Sequence, residues 1–176
     1  PVELTWDLTT IFSSDEAWEA EFKELEAMLP EAEKFKGKIA EGAQGLFDTL
    51  QFSDQLAERF HRLYVYGHLK HDQDTTNGKY QAMDSRGRSL ASKFGTALSF
   101  IIPEIMAVDE ATLEGYVATH EGLKLYTQSI KELNLGRPHV LSAEKEELLA
   151  ELSEATSASG NTFSALNNAD IEFPNV

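Results

Sequence analysis

The sequence predicts an all-α fold: an antiparallel helical bundle of long helical hairpins, with a short β-strand beginning at its C-terminus. Three observations carry the prediction. Apolar residues recur at steps of three, four and seven over most of the chain. Capping residues and Gly or Pro stops punctuate those runs. Only the end changes pattern: after Asn167-Asn168, the apolar residues Ile171, Phe173 and Val176 stand around Glu172 and Pro174, an alternation that reads as a strand. A lone strand leaves its backbone N–H and C=O groups unpaired and is not stable in water. The partner strand is therefore expected beyond Val176, in a larger protein of which this is one part.

The first helix is expected near Ser13, where Ser13 and Glu16 have capping-box spacing and Asp15 and Glu16 suit the positive end of a helix dipole. Its apolar face runs Trp18, Phe22, Leu25, Leu29, Ala32, Phe35, Ile39, and Pro30 should kink or divide it. Gly37 to Gly45 reads as looser chain. A second helix is expected from Ser53 or Asp54, with Leu56, Phe60, Leu63, Tyr64 and Gly67 in one stripe and a polar end from His68 to Gly78. A third carries Tyr80, Met83, Gly87, Leu90, Phe94, Ala97 or Leu98, and Ile101, a spacing suited to lengthwise packing, and Pro103 should close it. Asp109 is an N-cap for a helix with Leu113, Tyr116 and Val117 inward. Leu123, Tyr126, Ile130 and Leu133 form the next, stopped at Leu135-Gly136-Arg137-Pro138. Ser142 should cap another, with Leu148, Leu149, Leu152 and Ala155 inward. Thr156 to Ser164 reads as either a closely packed helix or a loop. Short connections make consecutive helices antiparallel. The expected organisation is an extended segment over 1–13, a helical lobe over 14–168 and the start of a β element over 169–176.

Composition narrows the function. With 41% hydrophobic residues and ten Phe in 176 residues, the chain can bury a core. Fifteen Lys+Arg against 30 Asp+Glu give a net charge of −15, which argues against a nucleic-acid or membrane partner. There is no cysteine, so disulfides and thiolate chemistry are excluded. The N-terminus lacks the basic and apolar regions of a secretory signal, and the run Phe100-Ile101-Ile102 is far too short to span a bilayer.

No residue is assigned a catalytic, cofactor-binding or metal-binding role. The sharpest cluster is His68-Leu69-Lys70-His71-Asp72-Gln73-Asp74, where His68, His71 and Asp72 share a helix face. His61 lies two turns earlier, no further ligand stands out, and the plainer reading is a polar helix end. His120-Glu121-Gly122-Leu123-Lys124 puts Lys124 where His-Glu-x-x-His needs its second histidine. His139 stands alone in its loop. Gly42-Ala43-Gln44-Gly45 lacks the Gly-Lys-Ser/Thr of a phosphate loop. Paired carboxylates abound, but among 30 acids chance pairs are expected.

Several stretches, taken in order, carry a resemblance. They are Trp6-Asp7-Leu8, Ile11-Phe12 and Asp15-Glu16-Ala17-Trp18; Leu63-Tyr64-Val65-Tyr66; Asp72-Gln73-Asp74-Thr75 with Asn77 and Tyr80-Gln81; Ser99-Phe100 with Pro103-Glu104-Ile105; His139-Val140-Leu141-Ser142 with Glu146-Glu147-Leu148-Leu149-Ala150; and Phe163 with Asn167-Asn168-Ala169-Asp170-Ile171 and Phe173-Pro174. Together they resemble the N-terminal helical region of oligoendopeptidase F, a zinc metallopeptidase of the M3, thimet oligopeptidase-like group.

The resemblance implies a cytoplasmic enzyme that cleaves short peptides. Zinc in its far lobe would polarise the scissile carbonyl and activate water. The zinc ligands and catalytic residues of such enzymes lie further along, so none is carried onto this chain, which should bind no zinc and be inactive alone. Its partners would be the catalytic lobe of the same polypeptide and, in the whole enzyme, a short peptide. It would form one wall of the substrate channel. A separated lobe would leave apolar surface open, which predicts self-association. The competing reading is a stand-alone helical module that binds a partner helix in an apolar groove.

Overall fold

The computed structural model describes residues 6–139 and, beyond them, residues 152, 158–160, 162–163 and 166. All regular elements among the described residues are helical. The chain divides into two compact units, Pro1–Asn134 and Leu135–Val176.

In the first unit a 3-10 turn at Leu8–Thr10, capped by Asp7, leads into α1 (Asp15–Met28). The cap of α1 is Ser14, one residue later than the spacing suggested: its hydroxyl accepts from the Ala17 N–H at 3.2 Å. Pro30 divides the helical run. The chain tightens to a 3-10 helix over Leu29–Phe35, with Leu29 and Ala32 still buried. Proline near a helix start costs no hydrogen bond, because that N–H would be unpaired anyway.

A 3-10 turn at Ile39–Glu41 precedes α2 (Ala43–Gln73). This helix starts ten residues before the expected Ser53. Gly42, at φ 142°, makes the entry, a conformation that side chains rarely adopt. Leu46 and Thr49 extend the buried stripe backward from Leu56. Gly45 is required by close approach, since a Cβ there would run into the Lys38 carbonyl oxygen.

After the turn at 74–77, α3 (Gly78–Leu98) returns antiparallel to α2. Gly67 lies against Met83, Tyr64 over Gly87, and Phe60 stacks on Phe94 at 5.0 Å. The third expected run ends at Leu98, and α4 (Ile101–Ala107) begins afresh with Pro103 inside its first turn. Asp109 caps α5 (Glu110–Thr119) as expected, accepting from the Thr112 N–H at 2.9 Å. The next run is split into a 3-10 helix (Glu121–Tyr126) and α6 (Thr127–Gly136).

Two cores result. Trp18, Phe22, Leu25, Leu56, Phe60, Leu63, Met83 and Leu90 join α1, α2 and α3. Ile39, Leu46, Ile101, Ile105, Leu113, Leu123 and Ile130 join the start of α2 to α4, α5 and α6. The Trp18 indole N–H donates to the Leu63 carbonyl at 2.8 Å within the first.

Charge reinforces the seat of α1. Along α3, Lys79, Arg86 and Lys93 recur every seven residues and meet Asp15, Glu19 and Glu26 at 2.5, 2.6 and 2.6 Å. From α2, Arg59 reaches Glu21 at 2.5 Å and Glu24 at 2.8 Å. Arg86 also lies over the Phe22 ring, 4.2 Å from its centre.

In the second unit a 3-10 turn spans Arg137–His139. Residues 158–160 and 162–163 are helical, and the Thr162 hydroxyl donates to the Ala158 carbonyl at 2.8 Å. Of the two readings left open for Thr156 to Ser164, these residues are helical, but all five are exposed, so the close packing that went with the helix is not seen in them. The Ser142-capped helix and the strand at 169–176 lie outside the described residues, as does most of that unit.

Candidate functional site

Two polar clusters form between the helices. In the first, His68 of α2 faces Asp84 of α3, with Nδ1 and Oδ1 3.0 Å apart. Its other ring nitrogen lies 3.6 Å from Asp72, one turn on, and the ring stacks on Tyr64. Arg88 donates to the second Asp84 oxygen at 2.8 Å. Asp84 is buried at 7% exposure. Burial works against its charge, but the hydrogen bonds from Arg88 and His68 outweigh this and hold the carboxyl below its ordinary range.

The expected His68, His71 and Asp72 face is therefore only partly assembled. Asp72 approaches His68, whereas the partner that matters, Asp84, sits on another helix. His71 enters this region as a backbone acceptor, from the Asp74 N–H. Among the described residues, no group of three or more His, Asp or Glu gathers as metal ligands would.

The second cluster surrounds Asp15 at the start of α1. The Tyr66 hydroxyl donates to it at 2.8 Å, Lys79 pairs with it, and Lys70 lies 3.8 Å away. Burial raises the Asp15 pKa, but these groups bring it below the usual value. Burial, followed by the hydrogen bond to Asp15 and then the Asp15 charge, pushes the Tyr66 hydroxyl up. An open hollow of about 700 Å³ lies beside the cluster, lined by Trp6, Leu8, Asp15, Tyr66, Lys70 and Gln73 among others. Within its lining Asp15, Tyr66 and Lys70 engage one another, and Asp7 accepts from Thr9.

The remaining histidines are dispersed. His61 is exposed on the outer face of α2. His120 ends α5, lies tilted against the Phe47 ring with centres 4.6 Å apart and meets Gln44 at 3.2 Å. Gly122 is packed so tightly on Phe47 that a Cβ would collide with the ring. His139 is exposed. Sequence reasoning missed the His68–Asp84 pair, because nothing local marks a pairing across sixteen residues, whereas the i,i+4 spacing of Asp84 and Arg88 on α3 could have been read as an ion pair. The arrangement can fasten helices and hold charge in place.

The chain resembles known peptidases. A family model described as oligopeptidase F, an M3 peptidase N-terminal region, matches residues 104–173. Oligopeptidase PepF of Bacillus subtilis is 44% identical over 174 residues, 99% of this chain and 26% of that protein. Group B oligopeptidase PepB of Streptococcus agalactiae is 38% identical, over 97% of this chain and 28% of its own. The crystal structure of oligoendopeptidase-F from Enterococcus faecium superposes with a TM-score of 0.68 at 39% identity, covering 93% of this chain and 32% of that one. The chain thus spans less than a third of the length of these relatives.

Proposed function

Since the chain matches the N-terminal region of oligoendopeptidase F-type M3 peptidases along nearly its whole length, we propose that it is the non-catalytic helical lobe of a zinc metalloendopeptidase. That enzyme acts on short peptides in the cytoplasm. The supporting observation is the 44% identity carried over 174 residues, 99% of this chain.

In this reading residues 1–13 lead in, 14–168 form an antiparallel helical bundle, and 169–176 begin a β element that continues into the rest of the enzyme. Zinc would supply carbonyl polarisation elsewhere in the polypeptide; no residue described here would hold it. The lobe's own work is placement and exclusion. Packed helices fix one wall of a substrate channel, admitting extended peptides and turning folded proteins away. Cross-helix ion pairs at Glu19–Arg86 and Glu26–Lys93 suit such a wall, because they fasten it without exposing reactive groups.

The deciding experiment is to sequence the gene beyond the codon for Val176 and assay its full product on short peptides. A His-Glu-x-x-His motif with zinc-dependent cleavage is expected, alongside no cleavage by the 176-residue chain. A stop codon directly after Val176 would reject the reading.

The surplus of acids suggests a substrate preference as well. Exposed carboxylates such as Glu110, Glu114 and Glu132 would concentrate cationic peptides near the wall. Changing all three to Gln should lower kcat/KM for Lys/Arg-rich peptides relative to neutral ones. An unchanged ratio would remove the field from the account.

A further inference from the structure

The turn that joins α2 to α3 holds a chemically reactive dipeptide. Of the asparagines in the chain, Asn77 alone is followed by glycine. The others precede Leu135, Thr162, Asn168, Ala169 and Val176. Asparagine is thermolabile, because the backbone nitrogen of the next residue can attack its side-chain amide. A side chain on that next residue shields the nitrogen, and glycine has none.

The fold leaves this nitrogen accessible. Gly78 is exposed, and a Cβ added there would meet nothing within 4 Å. As the first residue of α3, its N–H has no acceptor inside the helix. The Asn77 side chain is the N-cap: it folds back over the same peptide groups and accepts from the Lys79 N–H at 3.0 Å. The preceding residues, Gln73 to Thr76, are all exposed. Local bonds hold them, from the Asn77 N–H to the Asp74 carbonyl at 3.2 Å and from the Thr76 N–H to the Asp74 carboxylate at 3.1 Å. Ring closure needs the Asn77 ψ angle to leave its value of 109°, and an exposed turn at a helix end opens readily. Asn134, by contrast, is buried within α6.

We propose that Asn77 is a spontaneous modification site, at which the backbone rearranges to isoaspartate and releases the first turn of α3. The Gly78 nitrogen forms a bond to Asn77 Cγ. The Cγ–Nδ2 bond breaks, and Nδ2 leaves as ammonia with the proton that Gly78 gives up. Water then opens the succinimide ring. Addition at Cγ gives aspartate. Addition at the backbone carbonyl carbon gives isoaspartate, in which the chain runs through Cβ and Cγ. Water is the only co-reactant, and nothing is oxidised or reduced.

The two products act differently on α3. Aspartate keeps an acceptor for the Lys79 N–H and places a negative charge at the positive end of the helix. In isoaspartate the carbonyl that accepts from the Gln81 N–H at 3.0 Å becomes a free carboxylate, and the oxygen that caps Lys79 joins the main chain. Both bonds that start the helix lose their geometry. Lys79, which pairs with Asp15 at the start of α1, lies in that turn. The chemistry needs nothing from the peptidase reading.

The test follows the 176-residue chain through weeks in mildly alkaline buffer. Each asparagine is monitored by peptide mass spectrometry, with aspartate and isoaspartate peptides separated by chromatography. Asn77 should convert faster than every other asparagine by on the order of tenfold, because no Cβ shields Gly78, and isoaspartate should be the larger product. Gly78→Ala should slow the conversion by a similar factor and still fold, since the position has room and alanine favours a helix. The aged, more acidic fraction should unfold at lower urea than both the fresh chain and Asn77→Asp, which carries the same charge on an ordinary backbone. Conversion no faster than at the other asparagines, aspartate as the sole product, or an unslowed Gly78→Ala would overturn the site. Equal urea midpoints for the aged fraction and Asn77→Asp would overturn the release of α3.

Discussion

Asp84 shows how one side chain can make a helix contact depend on charge. It is buried between α2 and α3 yet ionised, because Arg88 and His68 supply hydrogen bonds that water no longer can. Its folded pKa is lowered, so the unfolded chain takes up a proton first as pH falls. The stabilisation is present above the unfolded carboxyl value, about 3.9, and is lost as pH falls through the lower folded value. Asp84→Asn should flatten the acid limb of a plot of urea midpoint against pH, followed by circular dichroism between about pH 2 and pH 6. An acid limb as steep as in the parent would place the sensitivity elsewhere. Raised tyrosines act at the opposite end. Tyr126 is pushed up to about 12 by burial and by its hydrogen bond to Asp54. Its contribution is complete below the unfolded value of about 10 and fades as pH rises through about 12. Neither dependence was legible in the sequence. His68 was noticed for its neighbours three and four residues on, and its partner on α3 is visible only once the hairpin closes.

Gly95 in α3 and Gly122 in the 3-10 helix after α5 do different things. Gly95 faces open space on α3, so Gly95→Ala should raise stability by about 0.5–1 kcal/mol through lower backbone entropy in the unfolded chain. Gly122 is pressed on the Phe47 ring, and Gly122→Ala should destabilise the α2–α5 end despite the better helix former. Thermal unfolding of both variants checks the contrast, and equal shifts would discredit the packing at Phe47. The same scale explains which boundaries could be read beforehand. Asp109 announced α5 because its side chain makes the cap. Ala43 did not announce α2: the Gly42 entry has no side-chain cap, so Ser53 looked like the better start although Leu46 and Thr49 were already buried. Pro103 was read as a stop, yet it falls where α4 has no N–H to lose. Periodicity located the buried faces well, since burial follows spacing. Helix ends depend on glycine geometry and on three-dimensional neighbours.

At the scale of the molecule, fifteen bases can neutralise at most half of 30 acids. Self-repulsion should therefore outweigh the exposed ion pairs, each worth at most about 1 kcal/mol. Raising NaCl from about 0.02 M to about 0.5 M, where screening shortens to a few ångströms, should raise the melting temperature. A fall in calorimetry would mean that the α1 ion pairs dominate. Those pairs carry a further consequence. The bases of α3 repeat at 79, 86 and 93, and acids of the N-terminal segment repeat at 19, 26 and 33. A shift of α1 (Asp15–Met28) by seven residues would bring Glu19 to Lys79 and Glu26 to Arg86, keeping two of the three matches. Charge attracts the helix but counts turns along it poorly. The count is kept by a mark that occurs once: the Trp18 indole, whose N–H finds the Leu63 carbonyl in only one position.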